Sequence, residues 1–248
     1  MKIITLNIAG RTNFGRGYQQ RMQNITDFLS DEGADVVCLQ EVTFKDKKSL
    51  ADIINSKMKK PYDDIYSIMS EKYSFDHFSS SAMENWKKGL FEHADDFLTD
   101  GLATMSRIPI KYYAPYVFTP APKDGRGRPD FRVRATQYIE LETGTKITNV
   151  HFATNNNAYM QLDELINRYE SDIIVGDFNM TRDHILAHKN IWADKYKEST
   201  DFENYISFPN DGVAWDHLML ADGYRFVSIR PVDGLSDHSA IVFEVEKK

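Results

Sequence analysis

Short apolar runs rich in β-branched residues lead, one after another, into polar side chains along this chain. Lys2-Ile3-Ile4-Thr5-Leu6 reaches Asn7, and Val36-Val37-Cys38-Leu39-Gln40 reaches Glu41. Ile147-Thr148-Asn149-Val150 reaches His151, and Ile173-Ile174-Val175-Gly176 reaches Asp177-Phe178-Asn179. Trp215-Asp216-His217 and Ser236-Asp237-His238 complete the series near the C-terminus. An apolar run that ends in a polar residue is how a buried strand delivers a side chain to the rim of its sheet. The endings supply only Asn, Asp, Glu and His, which points to separate strands converging on one metal-assisted site.

The chain also carries an internal echo. Met22, Ile25, Phe28 and Leu29 lie at helical spacing within Gln20 to Leu29, ahead of Asp35 and the run from Val36 to Gln40. Leu162, Leu165, Ile166 and Tyr169 repeat that spacing within Tyr159 to Tyr169, ahead of Asp172 and the run from Ile173 to Val175. Each reads as a helix, a short polar turn and a strand with a carboxylate at its end. Strands alternating with helices predict a layered α/β architecture. The motifs span nearly all 248 residues with no low-complexity linker between them, so one domain over 1–248 is expected.

In that order, Leu6-Asn7, Leu39-Gln40-Glu41, His151, Gly176-Asp177-Phe178-Asn179 and Ser236-Asp237-His238 resemble the endonuclease/exonuclease/phosphatase superfamily. That group includes pancreatic-type deoxyribonucleases, abasic-site endonucleases, inositol-polyphosphate phosphatases, neutral sphingomyelinases and RNA deadenylases. The resemblance implies an α/β (α+β) fold, a four-layer α/β/β/α sandwich of two mainly antiparallel sheets flanked by helices, with the site at one end. Asp100 to Ile110 resembles the family's Gly-(x)-Ala-x-x-Ser-x-x-Pro-Ile strand pair through Gly101, Ala103, Ser106, Pro109 and Ile110.

What the resemblance implies chemically is a Mg²⁺-dependent phosphoesterase, with Mn²⁺ as the alternative ion. Mg²⁺ takes oxygen ligands, often one or two carboxylates with waters and substrate phosphate. Glu41, Asn7 and Asp237 fit that preference, and no Cys/His cluster indicates zinc. Asp177 and Asn179 stand two apart, so an extended backbone turns them the same way. The resemblance makes Asp177 the base that activates water and Asn179 a donor to the phosphoryl oxygen; the competing reading is an Asx turn capped by its own side chains. His151 and His238 are the implied charge-stabilising donors, with Asp216 orienting His238. Arg134, with Arg132 as the alternative, is the implied contact to substrate phosphate. His184 and His188 read as residues of a surface helix. His217 should point to the face opposite Asp216, and the roles of His77 and His93 stay open.

A formal net charge of −7 weighs against nonspecific binding to nucleic acid over the whole surface. The basic segment Pro120 to Arg134, with Lys123, Arg126, Arg128, Arg132 and Arg134, weighs the other way, and Tyr73 to Asp100 reads as a second long specificity loop. Cys38 is the only cysteine and lies in an apolar run, so it reads as a structural thiol in a reducing compartment. The first strand signature begins at Lys2 and no apolar run reaches membrane-spanning length, so a cytoplasmic protein is expected. A phosphodiesterase or nuclease is the first functional expectation. The alternative is a phosphatase or phosphodiesterase of a small phosphorylated metabolite: a nucleotide, an inositol phosphate or a lipid headgroup. A catalytically silent binding scaffold would need a motif residue missing, and none is.

Overall fold

The computed structural model describes residues 1–9, 18–43, 100–118, 134–154 and 157–248. Most of both specificity loops, and with them Lys123, Arg126, Arg128, Arg132, His77 and His93, lie outside the described residues. The strands are β1 (Lys2–Asn7), β2 (Val36–Thr43), β3 (Asp100–Ser106), β4 (Ile110–Val117), β5 (Ala135–Leu141), β6 (Lys146–His151), β7 (Ile173–Asp177), β8 (Tyr196–Glu198), β9 (Asp216–Ala221), β10 (Tyr224–Val232) and β11 (Ala240–Lys247). The helices are α1 (Tyr18–Glu32), α2 (Asn157–Arg168), α3 (Arg182–Ala187), α4 (Lys189–Trp192) and α5 (Ser199–Phe202). One sheet has the order β10-β11-β1-β2-β3 and the other β4-β5-β6-β7-β9-β8. Each is antiparallel except for one parallel pair, β1 with β2 and β6 with β7.

Alternation along β1 accounts for the layering. Ile4 and Leu6 join Ile25 and Leu29 of α1 in an outer core, while Ile3 turns inward to Val175, Leu218 and Phe243 between the sheets. On the far side, Val150 and Ile174 pack with Ala158, Leu162 and Leu165 of α2. Three apolar interfaces separate four layers, helix, sheet, sheet and helix. This is the sandwich expected above. Cys38 is fully buried in the central interface, and burial pushes its thiol up to about 12. No helix among the described residues is long and apolar enough to cross a membrane.

The internal echo is structural. Asp35 Oδ2 accepts the Lys2 N–H at 2.8 Å, and Asp172 Oδ2 accepts the Lys146 N–H at 2.8 Å. Each carboxylate ties the residue that precedes the second strand to the start of the first, and a helix connects the two parallel strands of each unit. A parallel pair needs such a crossover.

The central interface is not wholly apolar. Gln40 Nε2 donates to Thr5 Oγ1 at 3.1 Å and across the gap to Asn149 Oδ1 at 2.8 Å. Asn149 Nδ2 donates back to Thr104 Oγ1 at 3.2 Å, and Thr104 donates to Gln137 Oε1 at 2.6 Å. Thr5, Gln40, Asn149 and Gln137 are completely buried.

The segment from Gly101 to Ile110 departs from expectation. Its two strands do not pair: β3 lies on β2 in the first sheet and β4 on β5 in the second. Ser106 Oγ bonds both the N–H and the carbonyl of Ile108, at 3.0 and 2.7 Å, which folds the connection into a corner between sheets. Pro109 has no N–H to give to a ladder there.

Candidate active site

The rim at one end of the sandwich collects the motif residues. Asn7, His151 and Asp177 are the last residues of β1, β6 and β7. Register places His151 beside Asp177, and Asp177 opposite Asp216. Asp216 and His238 differ from expectation, because Asp216 opens β9 and His238 precedes β11 instead of ending a strand. β9 runs antiparallel to β7 and β11 antiparallel to β1, so their starts reach the same rim as the other strands' ends.

Asp177 sits at the centre. Its Oδ2 accepts Asn7 Nδ2 at 3.0 Å and its Oδ1 accepts the Asn179 N–H at 2.8 Å. His151 Nε2 stands 3.5 Å from Asp177 Oδ2 and 4.0 Å from Glu41 Oε1, which links the two acids through one imidazole. Burial, then the charge of Asp216, raises the Asp177 carboxyl to about 6, against lowering by His238, Asn7 and the Asn179 N–H.

The turn after β7 is not extended. Asn179 has φ 50°, Asp177 caps the turn, and Asn179 Nδ2 donates to the Phe152 carbonyl at 2.8 Å. This is an Asx turn, the alternative to the extended reading, in which a local hydrogen bond fixes the Asp177 side chain while Asn179 is held by the residue after β6. The described non-glycine residues at positive φ are Ala9, Glu41 and Asn179. Glu41 and Asn179 are motif residues, and Ala9 gives its N–H to Asn7 Oδ1 at 3.0 Å. Left-handed backbone costs of order 1–3 kcal/mol per residue and concentrates at functional sites. Gly176 is required for another reason: a Cβ there would lie 2.1 Å from the Val150 carbonyl oxygen.

His238 Nδ1 lies 2.7 Å from Asp216 Oδ2. Burial alone would lower the His238 pKa, but the Asp216 charge and hydrogen bond, with Asp177 and Asp237, lift it to about 9. Asp216 is itself held by its backbone, since Ser207 Oγ accepts its N–H at 2.9 Å and Tyr205 Oη donates to its carbonyl at 2.8 Å. Phe208 and Trp215 stack at 4.4 Å, and Phe208 meets the His238 ring edge-on at 4.9 Å. Neither ring was singled out as a site residue from sequence. Trp215, adjacent to Asp216, was the available signal for that pair.

Arg134 Nη1 stands 2.9 and 2.7 Å from the two ring nitrogens of His151, so the guanidinium reaches the site's edge. An Arg N–H only donates, so the imidazole nitrogen it bonds must accept. Asp237 is exposed and accepts Ser236 Oγ at 2.9 Å. It stands outside the tight group.

Ligand atoms of Asp177, Asp216 and His238 lie within 4.8 Å of one another. Asp216 Oδ1 is buried and has no hydrogen-bond partner among the described residues. An orphaned carboxylate oxygen beside a second carboxylate fits a cation or a donor brought by substrate. With Glu41 and the Asn7 carboxamide, the donors are predominantly oxygen and suit Mg²⁺ or Mn²⁺.

The sequence profile of the Endonuclease/Exonuclease/phosphatase family matches residues 4–238. A comparison with curated proteins finds no match. Among solved structures, a family protein from Leptotrichia buccalis C-1013-b aligns with a TM-score of 0.66 at 15% identity, over 99% of each chain. The catalytic domain of human Nocturnin with bound sulfate anion aligns at 0.59 and 15%, over all of this chain and 93% of its own. A mannosyl-6-phosphatase from Bacteroides thetaiotaomicron VPI-5482 aligns at 0.61 and 13%, over 99% of each. At such identities the structural likeness speaks for the fold alone. The profile match reaches from the first strand to the last rim histidine, and the chain belongs to the endonuclease/exonuclease/phosphatase family.

Proposed function

We propose that this chain, acting as one domain over 1–248, is a Mg²⁺- or Mn²⁺-dependent phosphoesterase that cleaves its substrate by direct attack of water, with a phosphodiester as the first substrate class. Members of its family hydrolyse phosphate esters. The observation that carries the reading is the buried gathering of Asp177, Asp216 and His238, with an Asp216 oxygen that has no hydrogen-bond partner among the described residues.

Each residue then has a task. Asp177, oriented by Asn7 and by the turn it caps, takes the proton from the attacking water. His238 uses Nδ1 to hold Asp216 and directs its Nε2 proton at a nonbridging phosphoryl oxygen. Phe208 and Trp215 keep bulk water from that ring. Asn179 and His151 offer further contacts to the phosphoryl group, and Arg134 pairs with substrate phosphate. Glu41, Asn7 Oδ1 and Asp237 are the donors assigned to the divalent ion. Bound there, the ion supplies charge stabilisation of the phosphoryl oxygens.

The second reading is a phosphatase or phosphodiesterase of a small phosphorylated metabolite, favoured by the net charge of −7, which opposes a long polyanion. The single, buried Cys38 fits a cytoplasmic setting. A panel of plasmid DNA, RNA, nucleotides, sugar and inositol phosphates and sphingomyelin, assayed with Mg²⁺ or EDTA, separates the readings. Hydrolysis that requires the metal and falls roughly 10²-fold or more in Asp177→Ala and Glu41→Ala is expected. Near-normal turnover in both variants would overturn the assignment.

A further inference from the structure

His217 follows Asp216 in β9 but turns to the opposite face, where it is completely buried. Its Nδ1 is 2.8 Å from Glu198 Oε1, and its Nε2 is 2.8 Å from the Met180 carbonyl and 3.1 Å from the Ala214 carbonyl. A carboxylate and two carbonyls have no proton to offer, so both ring nitrogens must donate and the ring is an imidazolium. Glu198 is fixed in turn by Ser199 Oγ at 2.8 Å, by the Thr200 N–H at 2.9 Å and by the Thr200 hydroxyl. The two carbonyls that His217 holds belong to the segments that present the site. Met180 ends the turn carrying Asp177 and Asn179, and Ala214 leads into Trp215 and Asp216. Phe178, inside that turn, packs edge-on against the same ring at 5.4 Å.

A buried ion pair replaced by apolar groups of similar volume often leaves stability unchanged or improved, so stability alone does not account for one. We propose that the Glu198–His217 pair is a positioning device, one buried cation clamping the Asp177 turn and the Asp216 segment at a fixed separation. The proposal rests on the phosphoesterase reading and adds a residue behind the site to it.

The test compares two double variants, each free of an unpaired buried charge. H217F/E198Q keeps an aromatic ring at 217 and removes the donor to Met180 and Ala214. H217Q/E198Q restores an amide N–H near the position of Nε2. With both folded by circular dichroism, the first is expected to lose about tenfold or more in kcat with KM within about twofold, as a small misplacement of reacting groups does. The second is expected to recover most of that loss. Equal impairment of the two, or a folded H217F/E198Q with wild-type kcat, overturns the proposal. Long-range ¹H–¹⁵N spectra of the wild-type protein add a readout independent of any variant: two protonated ring nitrogens on His217 are expected, and a bare one overturns the clamp. A wild-type protein inert on every phosphoester with Mg²⁺ and Mn²⁺ would fail the underlying reading and this role with it. An active wild type with a neutral His217 fails the clamp alone.

Discussion

Two histidine–carboxylate pairs lie back to back across the start of β9, and their distances barely differ. His238 meets Asp216 at 2.7 Å, and His217 meets Glu198 at 2.8 Å. The second ring nitrogen separates them. His217 Nε2 is consumed by two backbone carbonyls, whereas among the described residues His238 is hydrogen-bonded through Nδ1 and its Nε2 makes no hydrogen bond. A short ion pair by itself says nothing about chemistry. What distinguishes a working imidazole from a structural one is whether its far nitrogen is already engaged.

The largest expected effect tests that contrast directly. Asn at His238 keeps a donor near the Nδ1 position for Asp216 but offers neither the imidazolium charge nor the Nε2 N–H, so His238→Asn should lower kcat by roughly 10²–10³-fold while the protein stays folded. Steady-state kinetics on whichever phosphoester proves to be turned over measure it, and a loss below threefold would erase the distinction. Next comes His217→Phe alone, which strands the buried Glu198 charge and should cost about 3 kcal/mol or more in urea unfolding.

A smaller effect comes from pH. Burial alone would raise the Glu198 carboxyl, but the His217 charge and the hydrogen bonds from His217 and Thr200 outweigh it and bring it to about 2, below the ordinary 4.5. A carboxyl depressed in the folded state contributes stability that is present above its unfolded pKa and lost as pH falls through the folded one. Unfolding free energy should therefore drop by roughly 2–3 kcal/mol between pH 4.5 and about 2, a slope that H217F/E198Q should lack. The smallest effect is a control on burial. Arg230 pairs with Glu32 at the surface, and Arg230→Ala should change stability by less than about 1 kcal/mol. A larger loss there would mean that pairing matters more than desolvation.

Periodicity made much of this legible. The strand runs ending at Asn7, Glu41, His151 and Asp177, and the helices before Asp35 and Asp172, are local patterns that read without knowledge of partners. Three features were not local. Asp216 and His238 reach the rim because β9 and β11 run antiparallel to their neighbours, and strand direction leaves no mark in composition. The Glu198–His217 pair joins residues 19 apart whose meeting follows from the β8–β9 register, which sets Glu198 opposite Met219. Phe208 reaches His238 only because the connection after α5 folds back, through an isolated bridge to Val213. At Asp177 and Asn179 the sequence alone allows both an extended pair and an Asx turn, and the left-handed φ at Asn179 belongs to the turn.

The layer of Gln40, Asn149, Thr104 and Gln137 between the sheets has a bearing on tolerance to change. Two greasy surfaces can glide over each other with little penalty, whereas carboxamides locked donor to acceptor cannot shift by one residue without abandoning bonds in a dry interior. Each sheet supplies half of the rim, so these amides act as a key that admits only one alignment. Mutations that soften the greasy interior should leave the two halves in step as long as that key stays whole.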